Sequence, residues 1–116
     1  AINPIFTELY KYSTPRGLVV SAYKNVVINH LTLIGDPDYD YKENPVIAIQ
    51  YRARNVVLNN ISVRGFKSAS ADIKVYGGEN RADSVSINHI DVNDSASMAI
   101  DIGKDTEDVQ IHQVMN

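Results

Sequence analysis

Apolar and polar positions alternate along this chain in a nine-residue phrase that keeps returning. It reads Asn25-Val-Val-Ile-Asn-His-Leu-Thr-Leu33, then Asn55-Val-Val-Leu-Asn-Asn-Ile-Ser-Val63, then Ser84-Val-Ser-Ile-Asn-His-Ile-Asp-Val92. A shortened copy follows at Asp108-Val-Gln-Ile-His-Gln-Val114. A second phrase precedes each copy of the first: Leu18-Val-Val-Ser-Ala22, Val46-Ile-Ala-Ile-Gln50, Asp72-Ile-Lys-Val-Tyr76 and Ala99-Ile-Asp-Ile102. Self-similarity at a period of a few tens of residues marks a repeat architecture, in which each unit buries its apolar face against its neighbours. Within each phrase the apolar residues recur every second position, the period of a strand. The expected fold is therefore all-β: a solenoid of parallel strands, three short strands to a coil. About four coils fit, at 18–45, 46–71, 72–97 and from 98 onward.

The alternation also predicts which side chains face inward. From the first strand of each coil these are Leu18, Val20, Ile47, Ile49, Ile73, Val75, Ile100 and Ile102. The second strand gives Val26, Ile28, Val56, Leu58, Val85, Ile87, Val109 and Ile111, and the third gives Leu31, Leu33, Ile61, Val63, Ile90 and Val92. β-Branched residues dominate the set, as a pleated, half-buried surface favours. No stretch sustains a 3.6-residue period, so helix is at most a short element near Phe6–Tyr12. A β-sandwich is the competing all-β arrangement, but it does not require the same phrase to return with the same internal spacing. Residues 1–16 read as an N-terminal cap or irregular lead-in, and 17–116 as the coils.

Composition narrows the picture. The 116 residues suffice for one domain or one piece of a larger protein, and 44% apolar with 22% charged residues describes a chain that folds. The net charge of −3 argues against nucleic acid, which calls for a basic stripe. There is no cysteine, hence no disulfide or thiolate metal site. No apolar run approaches the roughly 20 residues of a membrane span. The final Val114-Met-Asn116 stops within a third strand, and a solenoid needs polar caps at its ends. The expectation is a fragment of a longer solenoid, or one capped by a partner; a homotrimer, with the groove between chains, is also open.

The turns point to the functional face. The corner between second and third strands is tight in each copy, at Asn29-His30, Asn59-Asn60, Asn88-His89 and His112-Gln113. Asn tolerates left-handed backbone, and its amide can bond its counterpart one rung away. The turns flanking the first strand vary: 34–45 is long and rich in charge and Tyr, 51–54 is short, and 77–83 is intermediate. Variable loops on a rigid scaffold are where binding and chemistry usually sit.

The phrases Asn25–Leu33, Asn55–Val63 and Ser84–Val92, with their polar corner ladder, resemble the right-handed parallel β-helix of the pectate-lyase-like superfamily. That superfamily includes polysaccharide lyases, polygalacturonase-type hydrolases, epimerases and phage tailspikes, most of which bind or cleave polysaccharides beside the first strands. The resemblance implies a right-handed coil. Its catalytic signatures are incomplete here. Met98-Ala-Ile-Asp-Ile-Gly103 is similar to the polygalacturonase segment Asn-Thr-Asp-Gly-Ile-Asp-Ile-Gly, but Met98 holds the place of the catalytic Asp. Ser86-Ile-Asn-His89 lacks the Trp and Asp of the pectate-lyase Trp-Ile-Asp-His segment.

Candidate chemistry follows from the outward columns of the first strands. One runs Val19, Ala48, Lys74, Asp101 and the other Ser21, Gln50, Tyr76, Gly103, with Asp72 read onto the face of Lys74. Rungs lie about 4.8 Å apart, which makes Lys74 and Asp101 neighbours. A lyase needs a base and a cation facing a uronate, roles open to Lys74 with Arg52, Arg54 or Arg81. A hydrolase needs two carboxylates, and Asp72 with Asp101 is the only first-strand pair. The plain alternative is a solvated Lys–Asp cross-strand pair. Tyr39, Tyr41, Tyr51 and Tyr76, with Gln50 and Arg52, are the candidate substrate contacts; tyrosine suits stacking on sugars, and the alternative is that these rings cover the core.

No metal or other cofactor is expected, with one open possibility. Asp36, Asp38, Asp40 and Glu43 suggest a loose Ca2+ site, although Tyr41 and Ile47 break the EF-hand pattern. His30 and His89 occupy equivalent corners with Asn60 between them, roughly 9–10 Å apart, and read as corner residues rather than zinc ligands.

Two functions stay open. One is a carbohydrate-active domain that binds and cleaves a polysaccharide as a lyase or glycoside hydrolase. The other is a non-catalytic polysaccharide-binding or structural shaft of tailspike or adhesin type. Either places the chain as secreted, on a cell surface or on a virion.

Overall fold

The computed structural model describes residues 9–12, 18–21, 23–36, 38–42, 44–96 and 98–115. The chain is all-β. In order, the strands are β1 (Leu9–Tyr12), β2 (Leu18–Ser21), β3 (Lys24–Asn29), β4 (Thr32–Gly35), β5 (Ile47–Gln50) and β6 (Arg54–Arg64). β7 (Ile73–Val75), β8 (Asp83–Asn93), β9 (Ile100–Ile102) and β10 (Val109–Met115) follow. A single 3-10 turn, Gly78–Asn80, is the only helical element among the described residues. Leu9–Tyr12, where a short helix was the alternative, is a strand paired with β4. Phe6 lies outside the described residues.

Two parallel sheets result. The larger runs β1-β4-β6-β8-β10 with β3 also on β6, and the smaller runs β2-β5-β7-β9. The chain visits the sheets alternately, and each visit lays a strand beside the one laid a pass earlier. The register carries like onto like: Val26, Val56, Val85 and Val109 stand in one column, and Ile28, Leu58, Ile87 and Ile111 in another. In the smaller sheet Leu18, Ile47, Ile73 and Ile100 do the same.

The three-strand unit expected from the sequence is corrected to two sheets. In β6, β8 and β10 the ladder continues straight through the corner, so that second and third strands are one. The bend is made by a single left-handed residue per pass, His30, Asn60, His89 and Gln113, with φ of 57, 54, 55 and 54°. Flanking bonds such as His30 N–H to the Asn59 carbonyl (3.0 Å) and Ser62 N–H to the Leu31 carbonyl (2.9 Å) hold the passes together across it. A second left-handed column stands at Asn25, Asn55, Ser84 and Asp108. The corner amides bond between passes: Asn55 donates to Asn25 (2.7 Å), Asn60 to Asn29 (3.3 Å) and Asn88 to Asn59 (2.8 Å).

Between the sheets lies one apolar core. Val26, Ile28, Leu31, Leu33, Ile47, Ile49, Val56, Leu58, Ile61, Val63, Ile73, Val75, Val85, Ile87, Ile90 and Val92 all belong to it, as their alternation predicts. The predicted inward residues of the last pass are less enclosed: Ile100, Ile102 and Val109 are half-buried and Ile111 is exposed. Two glycines let the passes approach. A Cβ on Gly77 would collide with the backbone of Lys104, and one on Gly103 with the backbone of Gly77.

Enclosure sets the cost of truncation. Leu58, fully enclosed, should lose about 2–5 kcal/mol of stability as Leu58→Ala. Ile111, 40% exposed in the same column, should lose no more than about 1 kcal/mol as Ile111→Ala. Urea denaturation at unchanged slope measures both; equal losses would mean that the two positions are packed alike.

Candidate functional site

The outer face of the smaller sheet brings together some of the residues singled out above and removes others. Lys74 and Asp101 are paired directly across β7 and β9. Their side chains form an ion pair, Lys74 Nζ to Asp101 Oδ2 at 3.7 Å, and the same ammonium stands 4.6 Å from the centre of the Tyr76 ring. Both partners are about a third exposed, at 31% and 38%. An ion pair so placed contributes about 0–1 kcal/mol, and the cation–ring contact a similar amount.

Asp72 is not on that face. It sits in the bend leading into β7, where strand alternation no longer directs the side chain, and it is fully buried. The Ser95 hydroxyl donates to its Oδ1 at 2.6 Å, and Ser95 in turn accepts the Phe66 N–H at 3.2 Å. Oδ2 has no partner. Burial raises the carboxyl from 3.8 to about 6, against the opposing effect of the Ser95 hydroxyl and the Ala96 N–H. The surface carboxylate pair that hydrolysis calls for is therefore not assembled from Asp72 and Asp101. Ser95 was not singled out from the sequence: its bond spans 23 residues, and only the stacking of passes makes such a pair neighbours.

Ala48 and Gln50, read as outward, are also buried, since β5 is covered on both faces. Tyr41, expected at a rim, is fully enclosed against Phe66, with ring centres 5.0 Å apart and Tyr39 packed on its other side at 4.9 Å. Its hydroxyl accepts the Asp36 N–H at 2.7 Å and its own N–H donates to Ser68 Oγ at 2.6 Å, so the long loop is pinned to the next pass. Burial raises the Tyr41 phenol above its ordinary range. Tyr39, Tyr51 and Arg52 are exposed, and Tyr76 is half-buried.

In the acidic loop, Asp36 Oδ1 and Asp40 Oδ1 accept the N–H groups of Asp38 and Lys42, closing local turns. Glu43 lies outside the described residues. Among the described residues no three His, Asp or Glu side chains converge as a metal site. His30 and His89 line a recess of about 400 Å³ at the corner of the larger sheet, with Asn60, Ser62, Asp91 and Met115.

No protein-family model matches the chain, and no solved structure matches it. Curated proteins do. A putative phage-related protein, YobO, of Bacillus subtilis (strain 168) is 51% identical over 111 residues, covering 96% of this chain and 14% of that protein. The pre-neck appendage protein of Bacillus phage phi29 is 39% identical over 102 residues, 88% of this chain and 12% of that protein. The corresponding protein of Bacillus phage B103 is 38% identical over 102 residues, again 88% and 12%. The chain thus spans about one-seventh or less of the length of these relatives. These findings correct the likeness to the pectate-lyase-like superfamily. The relatives bear the names of phage appendage and phage-related proteins, and the recurring phrase reports what parallel stacking demands of any such chain, not membership of that superfamily.

The buried acid gives a pH signature. Below its unfolded value of 3.8 both states hold the proton; between 3.8 and about 6 only the folded state does. Stability from this group is therefore greatest at low pH and falls as pH rises through that window, by on the order of 3 kcal/mol in all. Asp72→Asn should flatten the decline between pH 4 and 6, read from urea midpoints across that range. An unchanged slope in the variant would assign the dependence to other carboxyls.

Proposed function

We propose that this chain is a non-catalytic segment of a phage virion appendage, a rigid stretch of shaft within a much longer protein. The observation that carries the reading is the 38–51% identity to phage pre-neck appendage and phage-related proteins over nearly the whole chain. The architecture supports it. Passes that alternate between two parallel sheets, each in register with the last, make a unit that extends by repetition. Parallel crossovers are right-handed in about 98% of cases, so the proposed winding is a right-handed coil of about four turns. Association with further copies or with the rest of the longer chain would bring the exposed Ile111, Val114 and Met115 under cover.

The enzymatic alternative draws less support. Asp72 is enclosed, β5 is covered on both faces, and Lys74 is neutralised by Asp101. A polysaccharide partner is compatible with the shaft and needs no cleavage.

The full-length parent protein decides between the two. Antibodies raised against it should label purified phage particles at their appendages; label found only on free protein would overturn the virion reading. On a panel of acidic and neutral polysaccharides, any release of reducing or unsaturated ends should persist in Lys74→Ala and Asp101→Ala. Loss of such activity in either variant, with the fold intact, would make this segment catalytic.

A further inference from the structure

We propose that Arg52 and Arg54, beside Arg81, form a pocket that binds a single anionic group, a phosphate or a carboxylate, at the turn from the smaller sheet into the larger. The recess has a volume of about 270 Å³ and is lined by Arg52, Arg54, Glu79, Arg81 and Asp83. That is just under the range of about 300–1,000 Å³ for small-molecule sites, a size for one charged group or one sugar-sized unit. The inference does not depend on the appendage reading.

Two independent observations lead to it. The first is how the backbone presents Arg52. The turn Gln50–Ala53 is closed by the Ala53 N–H to the Gln50 carbonyl at 3.2 Å, and both its central residues are left-handed, Tyr51 at φ 51° and Arg52 at φ 63°. Turns with two positive φ values favour Asn-Gly, and side chains as large as Tyr and Arg are strained there. The next pass carries Gly77-Gly78 at the corresponding place, with Gly78 at φ 74°. The chain uses glycine at this turn in one pass and exposes an aromatic ring and a guanidinium in the other. Strain retained at a surface site is a pointer to a binding role.

The second observation is which charges are already taken. Arg81 Nε donates to Asp83 Oδ2 at 3.2 Å, and its Nη2 lies 3.8 Å from Glu107 Oε1. The other Asp83 oxygen accepts the Glu107 N–H at 2.9 Å. Burial opposes the ionised form of Asp83, yet that N–H, the Arg81 bond and the charges of Arg81 and Arg54 hold its carboxyl below the usual range. Asp83 and Glu107 are thus committed to Arg81. Arg52 and Arg54 have no side-chain hydrogen bond or ion pair among the described residues; two carboxylates share the recess with them, Glu79 on the 3-10 turn and Asp83, the ladder neighbour of Arg54, whose carboxyl the Arg54 charge helps to hold down. Lys24, paired with Arg54 in the ladder, adds a third cation on the same edge. Guanidinium forks match the paired oxygens of phosphate and carboxylate, which a point-charge ammonium does not.

Calorimetric titration of the full chain with inorganic phosphate and, separately, with galacturonate tests the pocket. Binding of at least one probe is expected, weakened tenfold or more in the double variant Arg52→Gln/Arg54→Gln and unchanged in Arg64→Gln, an exposed arginine on the larger sheet. Phosphate alone would identify a phosphate-bearing ligand, and galacturonate alone a carboxylate-bearing one. Both substituted arginines are exposed, so circular dichroism should show the fold intact. No binding of either probe, or equal weakening in Arg64→Gln, would overturn the proposal.

Discussion

Everything in this molecule depends on a backbone ladder that runs from pass to pass. Each strand N–H and C=O must find a partner, and in a parallel stack that partner is always one pass away. The ladder imposes identity of shape: a corner taken by one pass must be taken at the same place by the next. That is why left-handed residues stand in columns, at Asn25, Asn55, Ser84 and Asp108 and again at His30, Asn60, His89 and Gln113. Left-handed backbone disfavours side chains with a Cβ. The bonds from Asn55 to Asn25 and from Asn60 to Asn29 offset that cost where a left-handed residue is asparagine.

The same constraint explains how much could be read from the chain. Inward columns such as Ile28, Leu58 and Ile87 were legible because a strand's period is fixed and the core accepts only one face. The corners were legible because asparagine recurs there. The continuity of β6 and β8 through the corner was not, since one left-handed residue bends a strand without interrupting its bonds, and no residue type announces the difference. Asp72 was misplaced because alternation was carried one residue beyond the strand. Tyr41 was misplaced because its enclosure depends on Phe66 and Ser68, which the fold, not the sequence, makes its neighbours.

The surface chemistry divides accordingly. On the smaller sheet, Lys74, Asp101 and Tyr76 satisfy one another and leave little free charge. At the turns the ladder relaxes, length varies, and side chains stand free of the column: Tyr51 and Arg52 are both exposed there. Strands carry the regularity and turns carry the individuality. The buried Asp72–Ser95 pair is the exception, a polar element tying the loop after β8 to the start of β7.

The direction of the hydrogen bonds has a mechanical consequence. The strands lie across the stacking direction, so the ladder bonds run along it. Compression along that direction presses closely packed passes together, as at Gly77 and Gly103, where backbone meets backbone. Tension along the same direction loads the bonds between one pass and the next in series, and the weakest interface yields by peeling. A stack of passes built in this way pushes better than it pulls.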